Sequence, residues 1–480
     1  MVESRHSREL EFNERYYVCR GSEGFYANFS IIAKYNKSIS KQLLSNALKG
    51  FIRKNTWLAL NFIKTDNNVI DRQVAYKNWN RTFMNRIKFD DAVSYRNIDH
   101  FDDSIIEYMN DIVVSNYQPH IPLWQLVVFE TANGDQYIGA AFDHSSFDGL
   151  SGVEFHKDLI KELDNAQEDE FQDVIFDYKR DYEYLPATIQ PPVETLTDLF
   201  IPSVWDYIKF YVSKYASTLS KFISYLYQSV TISKPLKPNF GINPLYSWKP
   251  LEKDLKSKFK YFTFSPEQIN KISKYTKAKG ITVTPYLHTI ALKCLQDTVF
   301  KHIDPTTQFS TLTGIAVNGR RYYSEDIKNF KYGSMVCGDP IYMAPIVGDD
   351  LLPYMKYSFE TMQEHLSTKE SFKPIGFYNI IDCFNFFNDR IGQKVKQTLG
   401  VSNLGRVTTD ANCSFDIEEV YFGSNTALTY HFLINAVTTA KGLIVVFPYA
   451  PEYDEIYQDE KKVIDIFADK FYRTILDYAS

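Results

Sequence analysis

One stretch of the chain holds residue types suited to acid–base chemistry at a spacing that would bring them together. Between Asp143 and Gly149, His144 lies four positions before Asp148. A neutral imidazole is the natural general base near pH 7. Asp148 could contact that imidazole across a tight turn or anchor the loop by pairing with an arginine elsewhere, and Gly149 would let the backbone turn sharply into a helix. The structural alternative is a buried core histidine followed by a helix-capping aspartate.

The motif lies where a predicted strand meets a predicted helix, and such rigid elements commonly hold functional loops in place. Residues 122–130 and 136–143 have the apolar composition of two strands, joined at Asn133 and Gly134 by a dipeptide typical of tight hairpins. Apolar residues at helical spacing then predict a helix over 149–163. The motif would therefore occupy the loop between a hairpin and a helix.

Strands and helices alternate in both halves of the chain. A strand is predicted within 24–35 and a helix after Ser40; later, Ser265 begins a capping box, and helices are predicted over 284–295 and 461–478. Strand-like apolar runs lie at 308–317, 333–344, 376–386, 399–403, 416–422, 430–437 and 441–448. This alternation predicts an α/β (α+β) protein with two lobes.

Composition divides the chain into three regions. Residues 1–165 contain the motif and form the predicted N-terminal lobe, and residues 258–480 form the predicted C-terminal lobe. Between them, residues 166–257 are predicted to be a crossover, since the segment begins acidic and contains several prolines. Within it, aromatic and aliphatic residues at helical spacing predict a helix over 201–228. This helix either covers the core between the lobes or lies in a membrane headgroup layer.

The overall composition excludes several classes of protein. Of the 480 residues, 44% are hydrophobic and 23% are charged, as is usual for soluble globular proteins. With 53 Lys and Arg against 59 Asp and Glu, the net charge of −6 argues against a dedicated nucleic-acid-binding protein. The five scattered cysteines include no Cys-x-x-Cys pair, so we expect a reducing compartment and no bound metal. Neither a signal peptide nor a membrane-spanning helix is predicted.

The segment from Asp143 to Gly149 resembles the His-x-x-x-Asp-Gly motif of the chloramphenicol-acetyltransferase-like acyltransferases. Further segments resemble that family in the expected order: Thr282–His288, Ala316–Arg321, Tyr332–Gly333 and Ser402–Gly405. The last is similar to a Ser-Asn-x-Gly segment of the fungal alcohol acetyltransferases, a branch that includes enzymes that N-acetylate sphingoid-type amines. The Asp-Phe-Gly-Trp-Gly segment of plant BAHD enzymes is absent, and Asp143 stands where condensation domains usually carry a second histidine.

This resemblance implies two chloramphenicol-acetyltransferase-like lobes with mixed sheets and an active-site tunnel between them. The co-substrate would be acetyl-CoA, and the acetyl group would pass directly to the hydroxyl of an alcohol or lipophilic acceptor. His144 would act as the general base. Ser402, supported by Asn403, would stabilise the oxyanion.

The resemblance also implies supporting roles. Asp148 would turn away from the centre and pair with Arg320, or with the adjacent Arg321. Since coenzyme A carries phosphates, Lys331 and Arg406 are candidates for binding them. The remaining motif residues of the predicted site are Asn318, Tyr332, Gly333 and Gly149.

Two further histidines, His156 and His288, lie on predicted helices outside the motif. We expect His288 to pack within a helix start rather than to react. His156, on the helix after the motif, is expected at the surface.

Three functions remain open on this basis. The first is an acetyl-CoA-dependent O-acetyltransferase, the second is an N-acetyltransferase acting on sphingoid-type amines, and the third is an inactive relative that binds coenzyme A or another ligand. Patterns typical of serine hydrolases, nucleotide-binding loops and zinc hydrolases are absent. The expected location is cytoplasmic, with peripheral association with the endoplasmic reticulum or lipid droplets through 201–228.

Overall fold

The computed structural model describes residues 6–26, 28–65, 78–114, 117–212, 250–253, 256–303, 310–325, 327–395, 397–426 and 428–479. The strands are β1 (Ser7–Glu9), β2 (Asn28–Tyr35), β3 (Leu60–Lys64), β4 (Trp79–Phe83), β5 (Arg86–Lys88), β6 (Val93–Ile98), β7 (Trp124–Thr131), β8 (Gln136–Asp143), β9 (Val174–Asp177), β10 (Lys258–Phe264), β11 (Thr311–Asn318), β12 (Val336–Met343), β13 (Gln397–Arg406), β14 (Ile417–Ser424), β15 (Tyr430–Thr439), β16 (Gly442–Tyr449), β17 (Tyr457–Gln458) and β18 (Lys461–Lys462).

The helices lie between these strands and after them. They are α1 (Phe12–Ser22), α2 (Lys41–Lys54), α3 (Phe89–Ala92), α4 (Asp103–Asp111), α5 (Gly149–Asn165), α6 (204–212), α7 (Pro266–Ala278), α8 (Val283–Leu295), α9 (Lys301–Ile303), α10 (Leu352–Thr368), α11 (Lys373–Gly376), α12 (Cys383–Asn388) and α13 (Val463–Asp477).

The first of the two large sheets has the strand order β14-β2-β8-β7-β6. Every residue of β8 is buried, because helices cover both faces of this sheet. Ile32 and Val127 pack with Ile106 and Met109 of α4, whereas Ile31 and Phe142 belong to the core cluster that also contains residues of α2 and α5. The strand that leads to the motif is therefore held rigidly from both sides.

One strand of this sheet comes from the far end of the chain. Strand β14 pairs antiparallel with β2, with Tyr421 opposite Ile32. The sheet of the N-terminal region is thus completed by a segment that follows β13 in sequence, and this exchange ties the two halves together. The predicted domain boundaries after residues 165 and 257 stay predictions.

The second large sheet has the order β10-β16-β15-β13-β11-β12. Strand β13 runs parallel to both β11 and β15, while the other neighbours are antiparallel. Helices α8, α10 and α13 pack with this sheet around one apolar cluster that includes Tyr286, Met355 and Phe467. The predicted α/β architecture with mixed sheets is confirmed.

Local signals in the sequence correspond closely to observed elements. Ser40 caps α2 by accepting the N–H of Leu43, and Ser265 forms a capping box with Gln268. Gly134 takes a positive φ of 87° in the turn between β7 and β8, a conformation that glycine adopts without strain. These elements depend on neighbouring residues alone, which is why their signals are reliable.

The strand predicted over 376–386 is wrong. This run forms helical turns, with Asp382 capping α12 by accepting the N–H of Asn385. Its aromatic residues pack against α1, where the ring of Tyr16 stacks on that of Tyr378 at 3.9 Å. A short apolar run without alternation does not distinguish a buried helix from a strand.

The predicted helix over 201–228 is described only in part. Residues 204–212 are helical, and 213–228 lie outside the described residues. Phe210 stacks on Phe377 with ring centroids 4.6 Å apart. The opposite face of α6 is exposed and apolar, with side chains of Val204, Trp205, Ile208, Tyr211 and Val212. No helix in the part of the chain that the structure describes is long and apolar enough to cross a membrane.

Candidate active site

The motif occupies the loop between β8 and α5, as the hairpin pattern predicts. The last residue of β8, Asp143, is fully buried, and its carboxylate accepts the N–H of Ser145 at 2.8 Å. The N–H of Phe147 donates to the carbonyl of Asp143 at 3.1 Å, which closes the turn. His144 is thereby presented at the end of a strand that is buried on both faces.

His144 contacts two aromatic rings and lines a cavity. Tyr17 stacks on the imidazole at 4.7 Å with an interplanar angle of 9°, and Phe29 packs edge-on at 5.3 Å. The hydroxyl of Ser334 lies 3.3 Å from Nδ1. Burial, followed by the positive charge of Arg20, lowers the pKa of His144 to about 4. The imidazole is therefore neutral at physiological pH, the form that a general base requires.

Asp148 bonds away from the imidazole and caps helix α5. Its Oδ1 accepts the N–H of Ser151 at 2.9 Å, and its Oδ2 accepts from Arg320 at 2.6 Å and from the N–H of Met335 at 2.9 Å. Burial alone favours the neutral acid, but the guanidinium of Arg320 outweighs it and holds the pKa of Asp148 below its usual value. Asp148 is thus an ionised anchor of the loop.

Arg320 joins three parts of the chain. Its guanidinium also donates to the Ser151 hydroxyl at 2.9 Å and to the carbonyls of Lys331 and Gly333 at 3.1 and 3.0 Å. Gly333 has a φ of 131°, which favours glycine there. Asn318 accepts the backbone N–H of Arg320 at 2.9 Å and so fixes the turn after β11. The adjacent Arg321 is exposed and forms no ion pair with a described residue.

Lys331 and Tyr332 converge on one carboxylate of α5. The Lys331 ammonium lies 2.8 Å from Asp158, and the Tyr332 hydroxyl donates to the same residue at 2.9 Å. The Lys331 side chain remains 46% exposed. Arg406 is exposed at the end of β13. The binding of coenzyme A phosphates by Lys331 and Arg406 stays a prediction.

Ser402 and Asn403 lie on β13 and line the same cavity as His144. Asn403 is held in place, since its Oδ1 accepts the N–H of Gly405 at 2.9 Å and its Nδ2 donates to Thr284 at 3.2 Å. The strand is irregular after Asn403, and this bulge shapes the edge of the cavity. Ser402 lines the cavity, and its hydroxyl has no hydrogen-bond partner among the described residues.

Gly149 has a different role from the predicted one. Its backbone is ordinary helix, so the sharp turn expected there is wrong. A Cβ at this position would lie 2.7 Å from a methyl group of Leu404 and 3.2 Å from the ring of Phe422, so a larger residue would displace these side chains. The start of α5 therefore packs closely against side chains of β13 and β14.

The cavity has a volume of about 490 Å³ and is lined by residues of both halves of the chain. It stays open partly because small residues occupy neighbouring strands of the second sheet. Gly314 of β11 lies beside Gly400 of β13 in register, and Ala316 lies opposite Gly338 of β12. A volume of this size suits a small ligand enclosed by apolar walls.

Several site residues escaped the sequence analysis. Tyr17, Arg20 and Phe29 precede the motif by more than one hundred residues, and nothing in their local pattern indicates that they surround His144. Ser334 follows the Tyr332–Gly333 segment directly, so proximity to that segment was the one available signal. The contacts arise from tertiary packing alone.

The two other histidines differ in outcome. His288 is buried and hydrogen-bonded to Ser358 and Thr313, both at 2.9 Å, so its packing role is confirmed. The surface position expected for His156 is wrong, because its ring is buried between Tyr35 and the carbonyl of Ile31. Helical spacing alone did not reveal that both faces of α5 near this residue are covered.

The fold is similar to that of solved structures of an acetyltransferase and of condensation domains. The trichothecene 15-O-acetyltransferase of Fusarium sporotrichioides has a similar structure, with a TM-score of 0.67 and 12% identity, covering 100% of this chain and 96% of that one. The condensation domain of the monacolin K polyketide synthase MokA has a TM-score of 0.58 and 10% identity, with coverages of 98% and 97%.

Sequence comparison identifies the family to which the chain belongs. A model of the family described as alcohol acetyltransferase matches residues 10–471, and the chain belongs to that family. Alcohol O-acetyltransferase 2 of Saccharomyces cerevisiae is 21% identical over 511 aligned positions, which cover 92% of this chain and 90% of the yeast protein.

Proposed function

We propose that this protein is an acetyl-CoA-dependent O-acetyltransferase that transfers acetyl directly to the hydroxyl of an alcohol or other lipophilic acceptor. The observation that carries the proposal is the neutral imidazole of His144, open to a cavity shared by both halves of the chain. Asp148, the other ionisable residue of the motif, is hydrogen-bonded to Arg320, so His144 rather than Asp148 is the base for the acceptor hydroxyl. Membership of the alcohol acetyltransferase family supports the reaction type.

In this reaction His144 accepts the proton of the acceptor hydroxyl. Nε2 is the nitrogen for this step, since Nδ1 faces Ser334. The hydroxyl oxygen bonds to the acetyl carbon of the thioester, the carbon–sulfur bond breaks, and the proton passes from His144 to the departing thiolate. The products are an acetyl ester and free coenzyme A. Ser402 donates a hydrogen bond to the carbonyl oxygen while negative charge develops there.

An amine acceptor would use the same base, because a neutral amine also loses a proton as it attacks. The acceptor is therefore decided by the shape and charge of the cavity rather than by His144. Sphingoid-type amines and sterols are the other acceptors to be tested, and an inactive protein that only binds coenzyme A is the alternative outside catalysis.

The decisive experiment is thiol release from acetyl-CoA with a medium-chain alcohol, a sterol or a sphingoid base, with the products identified by mass spectrometry. We expect acceptor-dependent release and a loss of about 10²–10⁴-fold in His144→Ala. His100→Ala is the matched control, since the His100 side chain is 75% exposed. Coenzyme A binding without release in any arm would instead support the inactive alternative.

We also propose that the protein binds lipid surfaces through the exposed face of α6, as a cytoplasmic protein on the endoplasmic reticulum or lipid droplets. Trp205 and Tyr211 are 70% and 44% exposed, and aromatic residues of this kind favour the headgroup region. Phe377, on which α6 packs, adjoins Tyr378 of the cavity wall.

Flotation with phosphatidylcholine vesicles tests this. We expect the wild-type protein to float with the vesicles and the double variant Val204→Glu and Trp205→Glu to stay in solution. Val347→Glu is the control, because Val347 is equally exposed elsewhere, at 64%. Wild-type protein that stays with the soluble fraction would refute the proposal.

A further inference from the structure

Two cations that line the cavity have no carboxylate partner among the residues that the structure describes. Among the described residues that line it, the only acid is Asp148, which Arg320 already binds. Arg20 and Arg390 line the same cavity and form no ion pair with a described residue. Since partly buried guanidinium groups are normally paired, two such groups that line a single cavity are suited to binding an anion.

Both arginines belong to one aromatic wall. Arg20 lies one helical turn after Tyr16 on α1, and the ring of Tyr16 stacks on that of Tyr378 at 3.9 Å. The Arg390 guanidinium lies 4.1 Å from the centroid of the Phe386 ring. Stacking on a ring holds a guanidinium in one orientation and leaves its N–H groups free for a carboxylate or phosphate.

The two charges also act on each other and on the catalytic base. After burial, the charge of Arg20 is the next cause that lowers the pKa of His144, and it contributes to the lowered pKa of Arg390 as well. The two guanidinium groups therefore repel each other in the absence of ligand. An anion bound between them would remove this repulsion and form charge-assisted hydrogen bonds.

We propose that the acceptor is an amphipathic hydroxy acid whose carboxylate or phosphate binds to Arg20 and Arg390 while its hydroxyl reaches His144. The apolar body of the acceptor packs on the rings of Tyr16 and Tyr378. This inference rests on the proposed function, since it names the substrate class of that same site. Arg20 and Arg390 are then residues that determine specificity.

The phosphates of coenzyme A are the other source of anionic oxygens. In coenzyme A the pantetheine arm separates the diphosphate from the thioester, so its phosphates lie far from the reacting carbon. Arg20, in contrast, follows Tyr17 by three residues on α1, and the ring of Tyr17 stacks on that of His144 at 4.7 Å. The anion that meets Arg20 is therefore carried by the acceptor.

The test compares ω-hydroxy acids and ω-hydroxyalkyl phosphates with linear primary alkanols of the same chain length. We expect kcat/KM of the wild-type enzyme to be at least about tenfold higher for one of the anionic acceptors, in line with hydrogen bonds to charged groups. In Arg20→Gln and in Arg390→Gln this ratio should fall toward one, with the KM for acetyl-CoA unchanged. The ratio within one variant is independent of its folded fraction. Arg473→Gln, an exposed arginine of α13, is the matched control.

A binding measurement separates this inference from the proposed function. Titration calorimetry with medium-chain alkanoates and alkyl phosphates requires no catalysis and is repeated in His144→Ala. Binding that both arginine variants lose supports the anion site even if no acetyl transfer is found. Equal kcat/KM for anionic and neutral acceptors in the wild type, or an arginine effect confined to the KM for acetyl-CoA, would overturn the inference.

Discussion

Asp148 and Arg320 meet at 2.6 Å although 172 residues separate them in the chain. The pair is buried, with side-chain exposures of 3% and 14%. It connects the start of α5, directly after the motif, to the turn that follows β11. The orientation of the loop that carries His144 therefore depends on a contact between the two halves of the protein.

Arg320→Met is expected to reduce the free energy of unfolding by about 3–5 kcal/mol, because it leaves the Asp148 carboxylate buried without its partner. Urea denaturation measures the change. Arg321→Met is the matched control, since the neighbouring arginine is exposed, and it should differ from wild type by less than about 0.5 kcal/mol. The double variant Asp148→Asn with Arg320→Met should be less destabilised than the sum of the single variants. Strict additivity would show that the pair does not couple the halves.

Arg320 and Arg321 illustrate which features of the site could be predicted from the sequence. The His-x-x-x-Asp-Gly segment, the hairpin before it and the helix after it follow from local patterns, and the structure has all three. Whether Asp148 would bond to the imidazole or to an arginine remained open from the residues alone, and resemblance to a family pointed to Arg320. The structure places that arginine at the carboxylate.

Other parts of the site depend on contacts that no local pattern encodes. Strand β14 completes the sheet of the other half through its pairing with β2, and Tyr17 reaches His144 from α1. Gly149 illustrates the same limit, because the side chain packed most closely against it is that of Leu404, which lies on a strand distant in sequence. Such contacts become visible only when the whole fold is assembled.

The pH dependence of activity should reflect the charge of Arg20. Because burial and Arg20 together lower the pKa of His144 to about 4, the base stays neutral, and therefore active, well below the ordinary pKa of about 6.5. We expect the acidic limb of kcat/KM to lie below pH 6. In Arg20→Gln one of the two causes is removed, so the limb should move to higher pH. Arg473→Gln should leave it in place, and an identical limb in Arg20→Gln would contradict the assignment.

Stability should fall in mild acid because of histidines in the core. Burial lowers the pKa of His156, His288 and His431 to about 4 each, and burial together with the charge of Arg20 does the same for His144. Between pH 6.5 and 4 the unfolded chain binds protons at these residues and the folded protein does not, so each destabilises the fold as the pH decreases, by at most about 1.4 kcal/mol per pH unit. Burial raises the pKa of Glu194 to about 7 and that of Asp103 to about 6. The folded protein therefore binds protons at these two residues more readily than the unfolded chain, and each stabilises the fold as the pH decreases.

The four histidines outnumber the two carboxyl groups, so we expect a net loss of unfolding free energy between pH 6.5 and pH 5, measured by urea denaturation at each pH. His288→Asn removes one of the four histidines and should make the decrease shallower, whatever its effect on stability at neutral pH. His100→Asn should not change it, because that side chain is exposed. A stability that rises toward pH 5 in the wild type would contradict the expected sign.

The glycines of the second sheet allow the size of the acceptor to be tested directly. At Gly338 a Cβ would have Tyr430 as its nearest neighbour, at an ordinary 3.7 Å, so a larger side chain fits the backbone and extends toward the cavity. Gly338→Leu should reduce kcat/KM for a sterol more than for a short alcohol, with little change in unfolding free energy. Gly400→Ala is the contrasting variant, since its Cβ would lie 2.4 Å from Leu433 and should destabilise the fold. If Gly338→Leu slowed all acceptors equally, the cavity beside β12 would not be where the acceptor body binds.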